Sequence, residues 1–155
     1  MATISVFGEG SPPRSSRSFR VTIPVDLPRG VCHCDYSSNN LLFKGDTLNA
    51  LLDFDDANYT WLVYDLVNLM DNWCWSDGVT ADWGGCARIV RLYSERRPLT
   101  PGEQSHLFDV HRYQIALDAA WFFDRGNAAD FPERRRLEYF DSLGRAEYTY
   151  RLGLQ

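Results

Sequence analysis

The chain has 155 residues and a formal net charge of −5, and 45% of its residues are hydrophobic. This apolar content is that of a folded protein and excludes an intrinsically disordered chain. A chain of this length is typical of one domain, so we expect residues 1–155 to form a single globular domain. No apolar run approaches the length of a membrane span, and the N-terminus lacks the apolar segment of a secretory signal.

The usage of basic and sulfur-containing residues indicates a source and a compartment. Apart from Lys44, every basic residue other than histidine is arginine, a bias typical of the GC-rich genome of a bacterium or its phage. We therefore expect the protein in the cytoplasm of a bacterial cell, where Cys32, Cys34, Cys74 and Cys86 would be thiols. Their spacing fits a zinc site poorly, so we predict no metal and no cofactor.

The first 44 residues are predicted to contain short strands. TISVF at 3–7 and SFRVTIPV at 18–25 alternate apolar and polar residues with the period of a half-buried strand. Between them, GEGSPPRSSR predicts a mobile loop near residues 8–17. DLPRG at 26–30 predicts a turn, VCHCDY a short strand, and SSNN at 37–40 the end of that strand.

Residues 46–73 are predicted to be helical. A short helix, DTLNALLDF, follows Gly45 with Asp46 as its N-cap, and a longer helix runs from about Asp56 to about Trp73. The aspartates of DFDDAN lack the glycine and glutamate that a calcium loop requires, so helix capping is the favoured interpretation. The longer helix carries an apolar stripe at helical spacing, formed by Tyr59, Leu62, Val63, Leu66, Met70 and Trp73.

The C-terminal half combines one strand, one helix and a hairpin. CARIVRLYS at 86–94 alternates like a strand. Thr100 and Glu103 form a capping box that predicts a helix from there to about Phe123. RRLEYFDSLGRAEYTYRL predicts a β-hairpin. Together the elements predict an α+β domain in which an antiparallel sheet of about five strands packs against two main helices.

The most informative pattern is an acidic segment. Residues 45–87 contain eight aspartates and no lysine or arginine, and they include CWSDGVTADWGGC, which is rich in tryptophan. Tryptophan is enriched in the central residues of protein interfaces, and an acidic surface attracts a basic partner. We therefore predict a partner-binding surface formed by Trp61, Asp65, Asp71, Trp75, Asp77, Asp82 and Trp83.

These features favour a binding protein without enzymatic activity. The sequence contains no phosphate-binding glycine loop, no HExxH and no GxSxG, so no catalytic residue is predicted. A small acidic protein of this kind would be an inhibitor, such as an immunity protein or a phage anti-CRISPR protein. Its partner would be a protein with a basic surface, for example a nuclease or a nucleic-acid-binding complex, and it would contact neither nucleic acid nor membrane directly.

Two other functions remain open from the sequence. His111, Gln114 and Asp118 share one face of the long helix at positions i, i+3 and i+7, so they could form the acid/base site of a small enzyme. A histidine with only a structural role is the favoured interpretation of His111. The third possibility is a structural component of a phage particle or a secretion machine, which would self-associate.

Overall fold

The computed structural model describes residues 2–4, 21–23, 26–124 and 132–154. The predicted mobile loop near residues 8–17 lies outside them. The described strands are β1 (Ala2–Ile4), β2 (Val21–Ile23), β3 (Arg29–Cys32), β4 (Leu41–Lys44), β5 (Thr47–Leu51) and β6 (Asn58–Trp61). The described helices are α1 (Val63–Trp73), α2 (Trp83–Arg96), α3 (Pro101–Asp124) and α4 (Pro132–Arg151). The prediction of one globular domain stays a prediction.

The strands pair two by two instead of forming one sheet. Within the described ranges, β1 pairs with β2, β3 with β6 and β4 with β5, and every pair is antiparallel. The predicted sheet of about five strands packed against two main helices is therefore wrong. The error arose because short apolar segments that look like strands in sequence also occur in buried helices.

Two predicted helical boundaries in residues 46–73 differ from the structure. Gly45 has a φ of 60° and forms with Asp46 the turn of a β4–β5 hairpin, so Asp46 does not cap a helix. The longer helix begins at Val63, because the preceding residues pair with β3 as strand β6. Local helix propensity predicts structure poorly where the same residues can pair with another strand.

The predicted strand at 86–94 and the predicted C-terminal hairpin are both helical. The strand residues lie in α2, and the hairpin residues lie in α4, which bends at Gly144 where φ is 72°. Tyr148 of α4 and Leu152, directly after its last residue, are buried while Tyr150 is 70% exposed. Residues four apart share a helix face, so this burial pattern has the period of a helix and not that of a strand.

The capping box at the start of α3 is confirmed. The N–H of Thr100 donates to Oε2 of Glu103 at 2.8 Å, and the N–H of Glu103 donates to the hydroxyl of Thr100 at 3.2 Å. The carboxylate of Glu103 is fully buried and also pairs with Arg97. The box therefore joins the end of α2 to the start of α3.

We expect Thr100→Ala to lower the free energy of unfolding by about 1 kcal/mol, because one N–H at the helix start loses its acceptor. Urea denaturation measures this loss. Ser105→Ala is the matched control, since the exposed hydroxyl of Ser105 bonds only carbonyls of its own helix. An equal effect of the two substitutions would show that the cap contributes nothing specific.

The hydrophobic core lies among the helices. Helix α1 packs against α2 and α3, and α3 packs against α4. Leu66 and Met70 of α1 meet Ile115 of α3 and Phe140 of α4 in one buried cluster. None of the helices described here is long and apolar enough to cross a membrane. Because one face of α1 is buried in this core, its other face is left to contact the loop between β3 and β4.

Candidate active site between strands β3 and β4

Helix α1 holds the backbone of the loop that follows β3. Asp65 accepts hydrogen bonds from the N–H groups of His33, at 3.1 Å, and Cys34, at 3.0 Å. Asn68, one turn further along α1, accepts from the N–H of Tyr36 at 2.7 Å. Cys34 has a φ of 68°, a conformation that costs energy for a residue with a side chain. The bonds to Asp65 stabilise this strained turn, so α1 fixes the shape of the loop.

The side chain of Asp35 is held in one orientation within this loop. Its Oδ1 accepts from the N–H of Ser37 at 3.0 Å, and its Oδ2 accepts from the amide nitrogen of Asn40 at 2.8 Å. Asp35 is only partly buried, whereas Asn40 is 7% exposed. The two hydrogen bonds therefore fix the orientation of the Asp35 carboxylate before any ligand binds, and the residue remains partly exposed to solvent.

His33 connects the loop to the end of β5. Its Nε2 lies 2.8 Å from the carbonyl oxygen of Leu52, and its Nδ1 lies 3.3 Å from the N–H of Asp35. A neutral ring with its proton on Nε2 satisfies both contacts, because it donates to the carbonyl and accepts from the N–H. The ring is 4% exposed and lies edge-on to Phe54 at 4.6 Å. His33 is therefore a positioning residue for Asp35.

The same contacts bring Asp53 to the loop. The N–H of Leu52 donates to the carbonyl oxygen of Asn40 at 2.9 Å, so both His33 and Asn40 hold the backbone of the residue before Asp53. Asp53 is exposed and has a φ of 58°. The predicted role of the DFDDAN aspartates as helix caps is wrong, since no helix begins there. These contacts instead bring the backbone before Asp53 next to Asn40, while Oδ1 of Asp53 accepts from the N–H of Asp55 at 3.5 Å.

The thiols near this loop are not reactive groups. Burial raises the pKa of Cys32 to about 12 and the pKa of Cys34 to about 11, and the negative charge of Asp65 acts in the same direction. Both therefore stay protonated at neutral pH, and a protonated thiol is a poor nucleophile and a poor metal ligand. The thiols of Cys32 and Cys34 therefore add no charge to this loop at neutral pH.

Several residues of the predicted partner-binding surface are buried. Trp61, Asp71 and Trp75 are 9%, 6% and 7% exposed. Trp75 stacks on Phe140 with ring centroids 6.0 Å apart, and Asp71 accepts from Arg136 at 2.7 Å. Because these side chains complete the core, they cannot form the exposed surface that the acidic segment predicted.

The remaining members of that predicted surface make local contacts. Asp65 holds the loop as described above. Asp77 is exposed and closes its own turn by accepting from the N–H groups of residues 79 and 80. Asp82 caps the start of α2, and the half-buried Trp83 donates to the hydroxyl of Tyr139 at 2.9 Å. The acidic segment therefore serves helix capping, turn closure and loop anchoring.

A second polar group lies among α1, α3 and α4. His111 is 1% exposed, and its Nδ1 lies 3.0 Å from the hydroxyl of Tyr148 while its Nε2 lies 3.6 Å from Oδ1 of Asp71. Gln114 donates to both carboxylate oxygens of Asp118, at 3.0 and 3.1 Å. His111, Gln114 and Asp118 share a face of α3, as predicted. The groups nearest to the His111 ring nitrogens are Asp71 of α1 and Tyr148 of α4, however, and not Asp118.

Asp118 has an unusual environment for a carboxyl group. Burial is the largest cause that raises its pKa, the negative charges of Asp71 and Glu133 act in the same direction, and together they bring it to about 7. Asp71 and Glu133 therefore lie close enough to Asp118 for their charges to act on it. At neutral pH the proton on Asp118 is therefore easily gained and lost.

The raised pKa predicts a stability that falls with rising pH. The folded protein retains the proton of Asp118 at pH values where the unfolded chain has lost it, so this contribution is complete below about pH 4 and is lost as the pH rises through about 7. Urea denaturation at about pH 5 and about pH 8 should show a smaller difference for Asp118→Asn than for the unmodified protein. Glu138→Gln, at an exposed position on α4, should leave the difference unchanged. An unaltered difference in Asp118→Asn would contradict the assignment.

Several known proteins are similar in sequence to part of this chain. The family described as "Phosphotransferase enzyme family" matches residues 13–99. Homoserine kinase of Methylocella silvestris is 31% identical over 125 residues, which are 77% of this chain and 39% of that protein. Homoserine kinase of Afipia carboxidovorans is 36% identical over 84 residues, 54% of this chain and 26% of that protein. Homoserine kinase of Pseudomonas aeruginosa LESB58 is 35% identical over 80 residues, which are 52% of this chain and 25% of that protein. The chain spans less than two fifths of the length of these curated relatives.

The residues that sequence analysis missed have a recognisable spacing. His33, Asp35 and Asn40 stand at the positions of the histidine, aspartate and asparagine in the kinase catalytic-loop motif H-R-D-L-x-x-x-N. Asp53 is the first residue of Asp-Phe-Asp, which is similar in sequence to the D-F-G motif of kinases. Cys34 and Tyr36 replace the arginine and leucine of the motif, and Asp55 replaces the glycine of D-F-G, so the match rests on His33, Asp35, Asn40, Asp53 and Phe54. The motif was overlooked because it was divided between a predicted strand and a predicted break.

The comparisons overturn the function predicted from composition. The matching family consists of enzymes and covers more than half of the chain. The prediction of a non-enzymatic inhibitor of the immunity-protein or anti-CRISPR type, with a basic protein surface as its partner, is therefore wrong. Small size, acidity and the lack of a glycine loop do not exclude an enzyme whose motif lies in one short polar loop. The chain belongs to the phosphotransferase enzyme family.

Proposed function

We propose that this chain carries the catalytic loop of a kinase that transfers a phosphoryl group from a nucleoside triphosphate to the hydroxyl of a small amino-acid alcohol such as homoserine. The observation that carries the proposal is the carboxylate of Asp35, which is oriented by Ser37 and Asn40 and still partly exposed. The homoserine kinases to which the chain is similar support the choice of acceptor.

In the proposed reaction, Asp35 acts on the acceptor hydroxyl. It accepts the hydroxyl proton as the oxygen forms a bond to the γ-phosphorus, while the bond between that phosphorus and the bridging oxygen of the nucleotide breaks. The electron pair of the broken bond leaves with the nucleoside diphosphate. The two hydrogen bonds to Asp35 keep its carboxylate in place, so no reorientation is needed during the reaction.

Asn40 and Asp53 are suited to hold a magnesium ion in this site. The amide nitrogen of Asn40 is directed to Asp35, so its amide oxygen is the atom that a cation can use. The exposed carboxylate of Asp53 supplies a second oxygen, and oxygen ligands of this kind are those that Mg²⁺ prefers. A bound Mg²⁺ would neutralise negative charge on the triphosphate.

Three further residues position the loop without contacting the reactants. Asp65 and Asn68 hold its backbone, and His33 connects it to the residue before Asp53. We also place the reaction in the bacterial cytoplasm. The four cysteines are free thiols, which fits a reducing compartment.

The experiment is product detection. The purified protein is incubated with Mg·ATP and L-homoserine, and phosphorus NMR is used to detect a new phosphate monoester. We expect the ester to form only when the acceptor is present. Asp53→Asn should raise the magnesium concentration needed for half-maximal activity, whereas Asp46→Asn, in the exposed hairpin turn, should not. ATP hydrolysis at the same rate with and without L-homoserine would reject the proposed acceptor.

A further inference from the structure

The polar group among α1, α3 and α4 contains buried atoms without partners. Within the described residues, four of its side-chain atoms have no hydrogen bond, and they are Asp71 Oδ1, His111 Nε2, Gln114 Oε1 and Glu133 Oε2. Their residues are between 1% and 6% exposed. A buried polar atom without a partner costs about 1–3 kcal/mol, and native proteins satisfy the large majority of buried side-chain polar atoms. These four atoms are therefore available to bond a ligand.

The missing partner is a hydrogen-bond donor. His111 Nε2 and Asp71 Oδ1 are 3.6 Å apart, so a small shift would pair them with each other. Gln114 Oε1 and Glu133 Oε2 would still remain, and both atoms can only accept a hydrogen bond. The deficit is therefore one of donors on the side of the group where Asp118 and Glu133 lie.

The charge of the group indicates a cation. Asp71, Asp118 and Glu133 are neighbouring carboxyl groups, whereas Arg136 is already bonded to Asp71 at 2.7 Å and to the carbonyl of Gly78 at 2.9 Å. The described part of the chain contains no cluster of three side chains spaced to hold a metal ion. A primary ammonium group offers both a positive charge and three N–H donors, which matches the deficit.

The group lies beside the proposed catalytic loop. Asn68 of α1 holds the residue that follows Asp35, and Asp71 stands three positions further along the same helix. Three residues advance a helix by about 4.5 Å and turn it by about 300°, which leaves Asp71 on the face next to that of Asn68. The loop and the polar group therefore contact adjacent faces of one segment of α1.

We propose that Gln114, Asp118 and Glu133 form the subsite that binds the ammonium group of the acceptor alcohol. The proposal rests on the proposed function, because the acceptor hydroxyl must reach Asp35 while the ammonium group lies among these side chains. A short carbon chain separates the two groups in an amino-acid alcohol. The ion pair between Asp71 and Arg136 borders the subsite, and Arg136 holds the carboxylate of Asp71 in place.

The test compares two ligands by isothermal titration calorimetry without nucleotide. L-Homoserine carries the ammonium group, and 4-hydroxybutanoate has the same chain without it. We expect the unmodified protein to bind L-homoserine at least about tenfold more tightly, the effect of hydrogen bonds to a charged group. Glu133→Gln should remove most of this preference without weakening 4-hydroxybutanoate. Glu138→Gln, at an exposed position on the same helix, is the matched control and should retain the preference.

A second variant keeps the test decisive if Glu133→Gln does not fold. Gln114→Met has a similar volume and lacks the unpartnered oxygen, so it should reduce the preference in the same direction. Equal binding of the two ligands by the unmodified protein would overturn the subsite. An undiminished preference in folded Glu133→Gln and Gln114→Met would overturn it as well.

The outcomes also separate the subsite from the proposed function. If the preference depends on Glu133 but no phosphate ester forms, the kinase proposal fails and the ammonium subsite stands. If L-homoserine is phosphorylated and its KM is the same in the unmodified protein and in Glu133→Gln, the kinase proposal stands and the subsite is overturned.

Discussion

Replacing Asp35 with asparagine should lower kcat for phosphoryl transfer by about 10²–10⁴-fold, the range expected when a general base is removed. The amide side chain has nearly the same size and can still accept from the N–H of Ser37, but it cannot take the proton of the acceptor hydroxyl. Steady-state measurement of nucleoside diphosphate release in the presence of L-homoserine determines the loss. The KM for the acceptor should change much less than kcat, because the substitution removes proton transfer and not binding.

Asp46→Asn is the control for this substitution. It makes the same chemical change at an exposed turn residue and should leave kcat within the error of the measurement. Circular dichroism should show that both variants are folded. A folded Asp35→Asn protein with more than a tenth of the original kcat would mean that Asp35 is not the base and that the catalytic loop has been wrongly assigned.

Replacing Asp65 with alanine should have the second largest effect on activity. The N–H groups of His33 and Cys34 lose their acceptor, and Cys34 is held in a strained conformation that those bonds support. Once released, the loop would no longer hold Asp35 within the tolerance of the reaction, and displacement by about 1 Å can cost about 100-fold in rate. The lost hydrogen bonds should also reduce the free energy of unfolding by about 1–3 kcal/mol.

The matched control for Asp65→Ala is Asn72→Ala. Asn72 is exposed on the same side of α1, and its amide nitrogen bonds only to Asn68. We expect Asn72→Ala to retain activity. Assays at a temperature where both variants remain folded separate the loop effect from loss of stability. Full activity in folded Asp65→Ala would show that the loop keeps its shape without α1.

The spacing of Asp35 and Asn40 could be read from the sequence, because the two residues are close together in the chain and their contact is local. Asp53 could not be placed beside them in the same way. Its position depends on the contacts that His33 and Asn40 make with Leu52, which belongs to the end of another strand. A periodic pattern can indicate that a segment is a strand, but it does not show which distant segment lies beside it.

Asp65 and Asn68 lie within the helix that was predicted to end near Trp73, but the groups that they contact were not predicted. The acidic composition of residues 45–87 suggested an external basic partner, whereas Asp65 and Asn68 accept hydrogen bonds from backbone N–H groups of the same chain. Composition counts charges but does not show whether an acceptor within the fold already uses them.

The sequence by itself determined the features that depend on neighbouring residues. The capping box of Thr100 and Glu103 began a helix where it was expected, because both partners lie within one turn. The tertiary structure alone decided the rest. The alternating residues around Tyr148 form a helix because a helix buries one of its faces against α3. Packing of the helices also brings Asp71, Asp118 and Glu133, which belong to three different helices, into one acidic group. Such gathering depends on packing between distant segments, whose energy no local pattern records.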